Sequence, residues 1–172
     1  MTKAASSICR VLLLAAALAL ATTGVSAAAG YTTPETKARM LQLIETLETD
    51  PFIRNGKAIR GEVTTWLIDA PDIHVALCPS LLGDITKIKS DEGGTLVVQL
   101  MFSEAKFILD HPDQASDQGA VNVAGVAGVL RTYASMKAVK PALAIREFDE
   151  LAKFQASGQL AAEVVKRSES CH

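Results

Sequence analysis

At 172 residues, with 17 lysines and arginines against 19 aspartates and glutamates and 49% hydrophobic side chains, the chain has the length and apolar content of one globular unit. That charge balance offers no basic face of the kind phosphate binding requires, so nucleic acid is not an expected partner. No G-x-S-x-G, H-E-x-x-H, P-loop or dinucleotide fingerprint occurs, and neither a cofactor nor a metal is expected.

Residues 1–27 read as an export signal. Lys3 and Arg10 supply a positive start, Val11 to Ala21 is an unbroken apolar run, and Val25-Ser26-Ala27 offers the small residues that a signal peptidase cuts after. The run is about 11 residues long, whereas roughly 20 are needed to span hydrocarbon, so cleavage is expected and no membrane span after it. Cys9 precedes the run and is badly placed for a lipid anchor. Residues 28–172 are then expected to form a single helical domain, with 15 bases against 19 acids and a formal charge of −4.

Loss of Cys9 leaves Cys78 and Cys171 as the only thiols, an even count in an oxidising compartment, and a disulfide between them is expected. It would close a loop of 93 positions. In the chain-entropy account such a loop removes about 4 to 5 kcal/mol of unfolded-state freedom.

Six prolines, at positions 34, 51, 71, 79, 112 and 141, punctuate the rest, each where the hydrophobic pattern stops or restarts. Thr32 and Glu35 have the spacing of a capping box around Pro34, and Met40, Leu43, Ile44 and Leu47 then make one apolar stripe. After Asp50-Pro51, a second stripe runs through Ile59, Val63, Trp66, Leu67 and Ala70. Ile73, Val75 and Leu77 alternate between Asp72 and Cys78, a short strand-like pattern.

Residues 85–100 admit two readings. Ile85 to Lys89 and Thr95 to Leu100 around Asp91-Glu-Gly-Gly could pair as a hairpin, but the apolar run from Leu96 to Leu109 is too long for a strand and suits a buried helix. Asp110 to Gly119 is a polar loop whose aspartates lack the ligand pattern of a calcium hand. Beyond it Val126, Val129, Tyr133 and Met136 form an apolar stripe, and Ala120, Ala124 and Gly128 a small-residue stripe that would let a neighbouring helix approach closely. Two last helices are expected on either side of Ser157-Gly158, one faced by Ile145, Phe148, Leu151 and Ala152, the other by Leu160, Val164 and Val165. The fold expected is therefore all-α, a compact bundle of five or six helices with one disulfide; the alternative is an α+β fold with a small hairpin at 85–100.

No catalytic residue is assigned. His74, His111 and His172 each stand without a recognisable partner motif, so a serine hydrolase relay is not visible. One carboxylate conflicts with its surroundings: Gln99, Ser103, Lys106 and Asp110 mark the wet side of their helix, while Glu104 projects between the directions of Val97 and Ile108. Buried, it would carry a raised pKa unless a base such as Arg131 paired with it. Asn122 shares the direction of Val126 and Val129, in the first turn of its helix, where a capping role is expected.

In plan, an exported, cysteine-paired helical domain of this size resembles the periplasmic immunity proteins that block type VI secretion amidases. That resemblance implies work by surface complementarity and carries over no residues. The expected function is non-catalytic binding in the bacterial envelope, with a protein or envelope component as partner; the alternatives are an inhibitor or immunity protein, or a small hydrolase using Glu104. The bacterial assignment follows the alanine-rich signal and the absence of an N-x-[ST] sequon.

Overall fold

The computed structural model describes residues 32–171; the expected signal at 1–27 and His172 lie outside them. Among the described residues there are six α-helices and no strand: α1 (Pro34–Thr49), α2 (Gly56–Asp69), α3 (Asp91–Asp110), α4 (Gln118–Val139), α5 (Arg146–Ala156) and α6 (Leu160–Ser168). None is long and apolar enough to cross a membrane.

The helices begin and end for local reasons. Pro34 opens α1 behind the Thr33 side chain, which accepts the Thr36 backbone N–H; Thr33 is thus the cap, whereas the Thr32 hydroxyl reaches Asp72 40 positions away. Ser90 and Asp117 cap α3 and α4 in the same way, accepting the N–H of Gly93 and of Ala120. Prolines at 51, 71, 112 and 141 follow α1 to α4, where a missing N–H and a fixed φ forbid another turn. Gly158, at φ 72°, turns the chain between α5 and α6 in the left-handed region that an L side chain resists.

The hairpin alternative fails at α3. Ser90 starts a helix that runs through Asp91-Glu-Gly-Gly, so those glycines lie in its first turn, with Gly93 seated under Ile88. Nor does Asp72 to Cys78 become a strand: the segment has no regular structure and meets no partner strand among the described residues, with Ile73 buried and Leu77 51% exposed. Alternation alone does not make a strand, which also needs a ladder.

α3 and α4, 20 and 22 residues long, form the central antiparallel pair against which the rest is laid. Two apolar cores share them. The first joins α1, α2 and Ile73 to the carboxy-terminal half of α3 and the start of α4, through residues such as Ile44, Leu47, Val63 and Phe102. The second joins the amino-terminal half of α3 and the rest of α4 to α5, α6 and the 3-10 turn Pro79–Leu82, through Leu100, Val129, Phe148 and Val164. Val165 falls outside this core, 52% exposed, because Leu160 and Val164, one turn apart, take the inward face of α6. Cys78, before the 3-10 turn, and Cys171, after α6, form the disulfide, their Cα atoms 5.5 Å apart.

Trp66 packs against the first core but stays half-buried. The close approach of α3 and α4 uses Gly125 and Gly128. Ala120 is half-buried, and Ala124 lines a surface cleft.

Candidate functional site

Between the two cores lies a polar waist built from three helices. α1 brings Glu48 in its last turn, α3 brings Gln99 and Ser103 one turn apart, and α4 brings Arg131. Ser103 Oγ donates to Glu48 Oε1 at 2.8 Å and accepts from Gln99 Nε2 at 3.2 Å. Arg131 grips the same carboxylate through Nε to Oε2 at 2.9 Å and Nη2 to Oε1 at 3.2 Å. A side chain at Gly128 would run into Ser103, and its Cβ would lie 2.8 Å from Glu48 Oε1, so glycine is what lets the tie close.

This arrangement corrects the expected wet side of α3. Lys106 and Asp110 do reach solvent and pair with each other at 2.6 Å, but Gln99 and Ser103 are buried beneath the end of α1. A polar residue can enter a core when each hydrogen bond it loses to water is replaced, and the Gln99–Ser103–Glu48–Arg131 chain replaces them.

Glu104 sits beside this network without joining it. Leu100, one turn before, belongs to one core and Ile108, one turn after, to the other. Its side chain is 0% exposed, and neither carboxyl oxygen has a hydrogen-bond partner. Arg131 is committed to Glu48, so it is not the base that would have paired with Glu104. A Cβ at Gly125 would lie 2.6 Å from Glu104 Cγ and 3.2 Å from Oε1. Burial alone pushes this carboxyl up to about 8.

Asn122 is buried as well, but it does not cap its helix. Asp117 performs that task, and Asn122 Oδ1 accepts from Gln118 Nε2 at 2.7 Å. A further network escaped sequence reasoning: Tyr133 Oη donates to Asp149 Oδ1 at 3.0 Å and accepts the Ile145 N–H at 2.9 Å, and Lys137 pairs with Asp149 at 2.9 Å. Ile145 has no capping side chain of its own, so the tyrosine satisfies the start of α5 from α4. Only the polar tip of an apolar-stripe residue could have signalled this.

The surface offers shallow clefts. One of about 200 Å³ lies over the waist, edged by Lys106, Phe107, His111 and Arg131. His111 stacks on Phe107 with ring centroids 4.6 Å apart. Ser103 borders this cleft, but its buried hydroxyl donates to a carboxylate that Arg131 already holds. A larger groove of about 470 Å³ runs between the segment before α3 and the start of α5, edged by Lys87, Lys89, Arg146 and Glu147. There Lys87 pairs with Asp84 at 2.9 Å and Arg146 with Glu147 at 3.0 Å, so two of its three cations are already answered. Among the described residues no three His, Cys, Asp or Glu side chains are placed to hold a metal ion.

Comparison of the chain with family models, with curated proteins and with solved structures finds no match.

Proposed function

We propose that the protein is a non-catalytic binding protein exported to the bacterial envelope, acting through its helical surface on a protein or envelope component. One observation carries this reading: the carboxyl displaced furthest toward the range of a working acid or base, Glu104, is sealed between two helices with no exposed atom. A general acid or base must come within hydrogen-bond reach of the group it serves. Other buried polar side chains serve structure, joining helices in the Glu48 tie and the Tyr133 bridge and bonding within their own helix at Asn122 and Thr132. The Cys78–Cys171 bond supports an oxidising destination.

The hydrolase reading would require α3 and α4 to separate far enough to admit substrate to Glu104, and the clefts described above are edged by other side chains. The inhibitor reading differs from the general one only in the partner, which would be an enzyme whose activity falls on binding.

The test is fractionation followed by cross-linking of the tagged protein at native expression. Periplasmic material with the mass of residues 28–172, and a discrete partner that rebinds when purified, is the expected result. Cytoplasmic protein retaining residues 1–27 would overturn the location. Turnover of an envelope substrate, lost in Glu104→Gln, would replace binding with catalysis.

A further inference from the structure

We propose that Glu104 is a proton-controlled latch on the α3–α4 crossing: as the neutral acid it lets the two helices close between the two cores, and its ionisation parts them. The carboxyl is fully enclosed and lacks any hydrogen-bond donor. Held neutral it costs the fold the desolvation of one polar group; held as an anion with no donor and no cation it costs far more, so the structure must yield before the charge is accepted.

No neighbouring charge answers it. From α1 the facing titratable group of the waist is Glu48, and from α4 it is Arg131; these bind each other. On α3 itself Lys106 is paired with Asp110 at the surface. From α2, Arg60 donates through Nη2 to the carbonyl of Pro51 at 2.6 Å, and its buried Nε, though unpartnered, exerts no effect on Glu104. Burial is the sole cause acting on Glu104, so none of these charges offsets it.

The space around it is equally unforgiving. Gly125 stands where even a methyl group would meet the Glu104 side chain, so water cannot be added at that point unless the helices move apart. Because Ser103 lies under Gly128 in the same crossing, such a movement draws on the Ser103–Glu48 bond next to it. The latch therefore sits where one displacement loosens the tie between α1, α3 and α4.

The sign follows from proton binding. In the unfolded chain the carboxyl ionises near its ordinary 4.5, whereas in the folded protein it holds its proton to about 8. Between those values the folded state binds the extra proton, so stability is fullest below the lower value and is lost as pH rises toward the upper. Each pH unit in that window shifts the folding equilibrium by about tenfold.

The experiment compares the wild-type protein with Glu104→Gln, by thermal unfolding and by amide hydrogen exchange at matched pH from 5 to 9. The wild-type midpoint should fall relative to the variant as pH rises, by roughly 5 to 15 °C at pH 8. Above that pH the amides of Ser103 to Ala105 and Ala124 to Gly128 should exchange faster in the wild type. Parallel midpoints, or equal exchange of those amides at pH 9, would overturn the latch. Should the variant not fold, a carbon-13 NMR titration of the wild-type Glu104 carboxyl decides: a midpoint near 8 accompanied by shifts at Gly125 and Gly128 supports the latch, and an ordinary carboxylate midpoint ends it.

Discussion

The two cores are stabilised by different means. The first is enclosed by α1 and α2, of 16 and 14 residues, with no covalent tie to the rest of the body beyond the backbone. The second is enclosed by α5 and α6, only 11 and 9 residues long, and it holds the disulfide, the Tyr133 bridge and the contact from Arg167 Nη1 to the Leu81 carbonyl. Helices below about 12 to 15 residues are marginal in water, since one costly nucleus is repaid by few bonds. The short helices are therefore the ones that receive the covalent cross-link, and the longer pair is held by buried area and by polar ties such as Glu48 to Ser103 and Arg131.

The most damaging way to probe that contrast is to hollow each core in turn. Phe102 and Phe148 are both fully buried, one in each core. Either replacement by alanine should cost about 3 to 5 kcal/mol in chemical denaturation. The difference should appear in how the loss is distributed: Phe148→Ala, in the core that holds the bridge itself, should leave α5 and α6 partly protected from hydrogen exchange. Equal loss of protection there and in α1 would show that the bridge gives the second core no advantage.

Breaking the bridge sharpens the same contrast. Cys171→Ser should lower stability by about 2 to 5 kcal/mol. Amides of α6 should open first and those of α1 last, since Leu160 and Val164 are all that α6 buries deeply. Two alkylatable thiols in natively produced protein would refute the bond itself.

The sequence made the helices legible more readily than the waist between them. Prolines and caps are local signals, and the apolar stripes of Met40 to Leu47 and Ile145 to Leu151 mark faces that a helical period alone predicts. Glu104 is legible too, because it projects between the directions of Val97 and Ile108. Gln99 and Ser103 were not. Their burial depends on where the end of α1, some 50 residues earlier, crosses α3, and no periodicity along α3 records that crossing. Gly125 was missed for the same reason, since its smallness matters only against Glu104 on another helix. The alternation of Ile73, Val75 and Leu77 predicts a short strand, but Leu77 is exposed and no partner strand exists among the described residues.

Removing the tie that joins the two regions gives a smaller effect. Arg131→Ala leaves Glu48 buried without its cation, yet the arginine side chain is itself 52% exposed, so water can enter where it stood. A loss of about 1 to 3 kcal/mol is expected in urea unfolding. A loss below a few tenths would mean that Ser103 alone satisfies Glu48. Smallest of all is the cap of the first region: Thr33→Ala should cost about 1 kcal/mol and fray the opening turn of α1 by NMR, with α5 and α6 unaffected.

The bridge also decides how the molecule would bear mechanical load. Tension applied at the two ends of the chain passes directly from Cys78 to Cys171, so the closed ring that contains α3 to α6 carries no stretching force along its backbone. Of the described residues, those before Cys78, numbers 32 to 77, can be drawn out, releasing roughly 150 Å of chain at about 3.3 Å per residue. A tethered copy would thus pay out α1 and α2 as a slack line and then stop, with its carboxy-terminal body still wound.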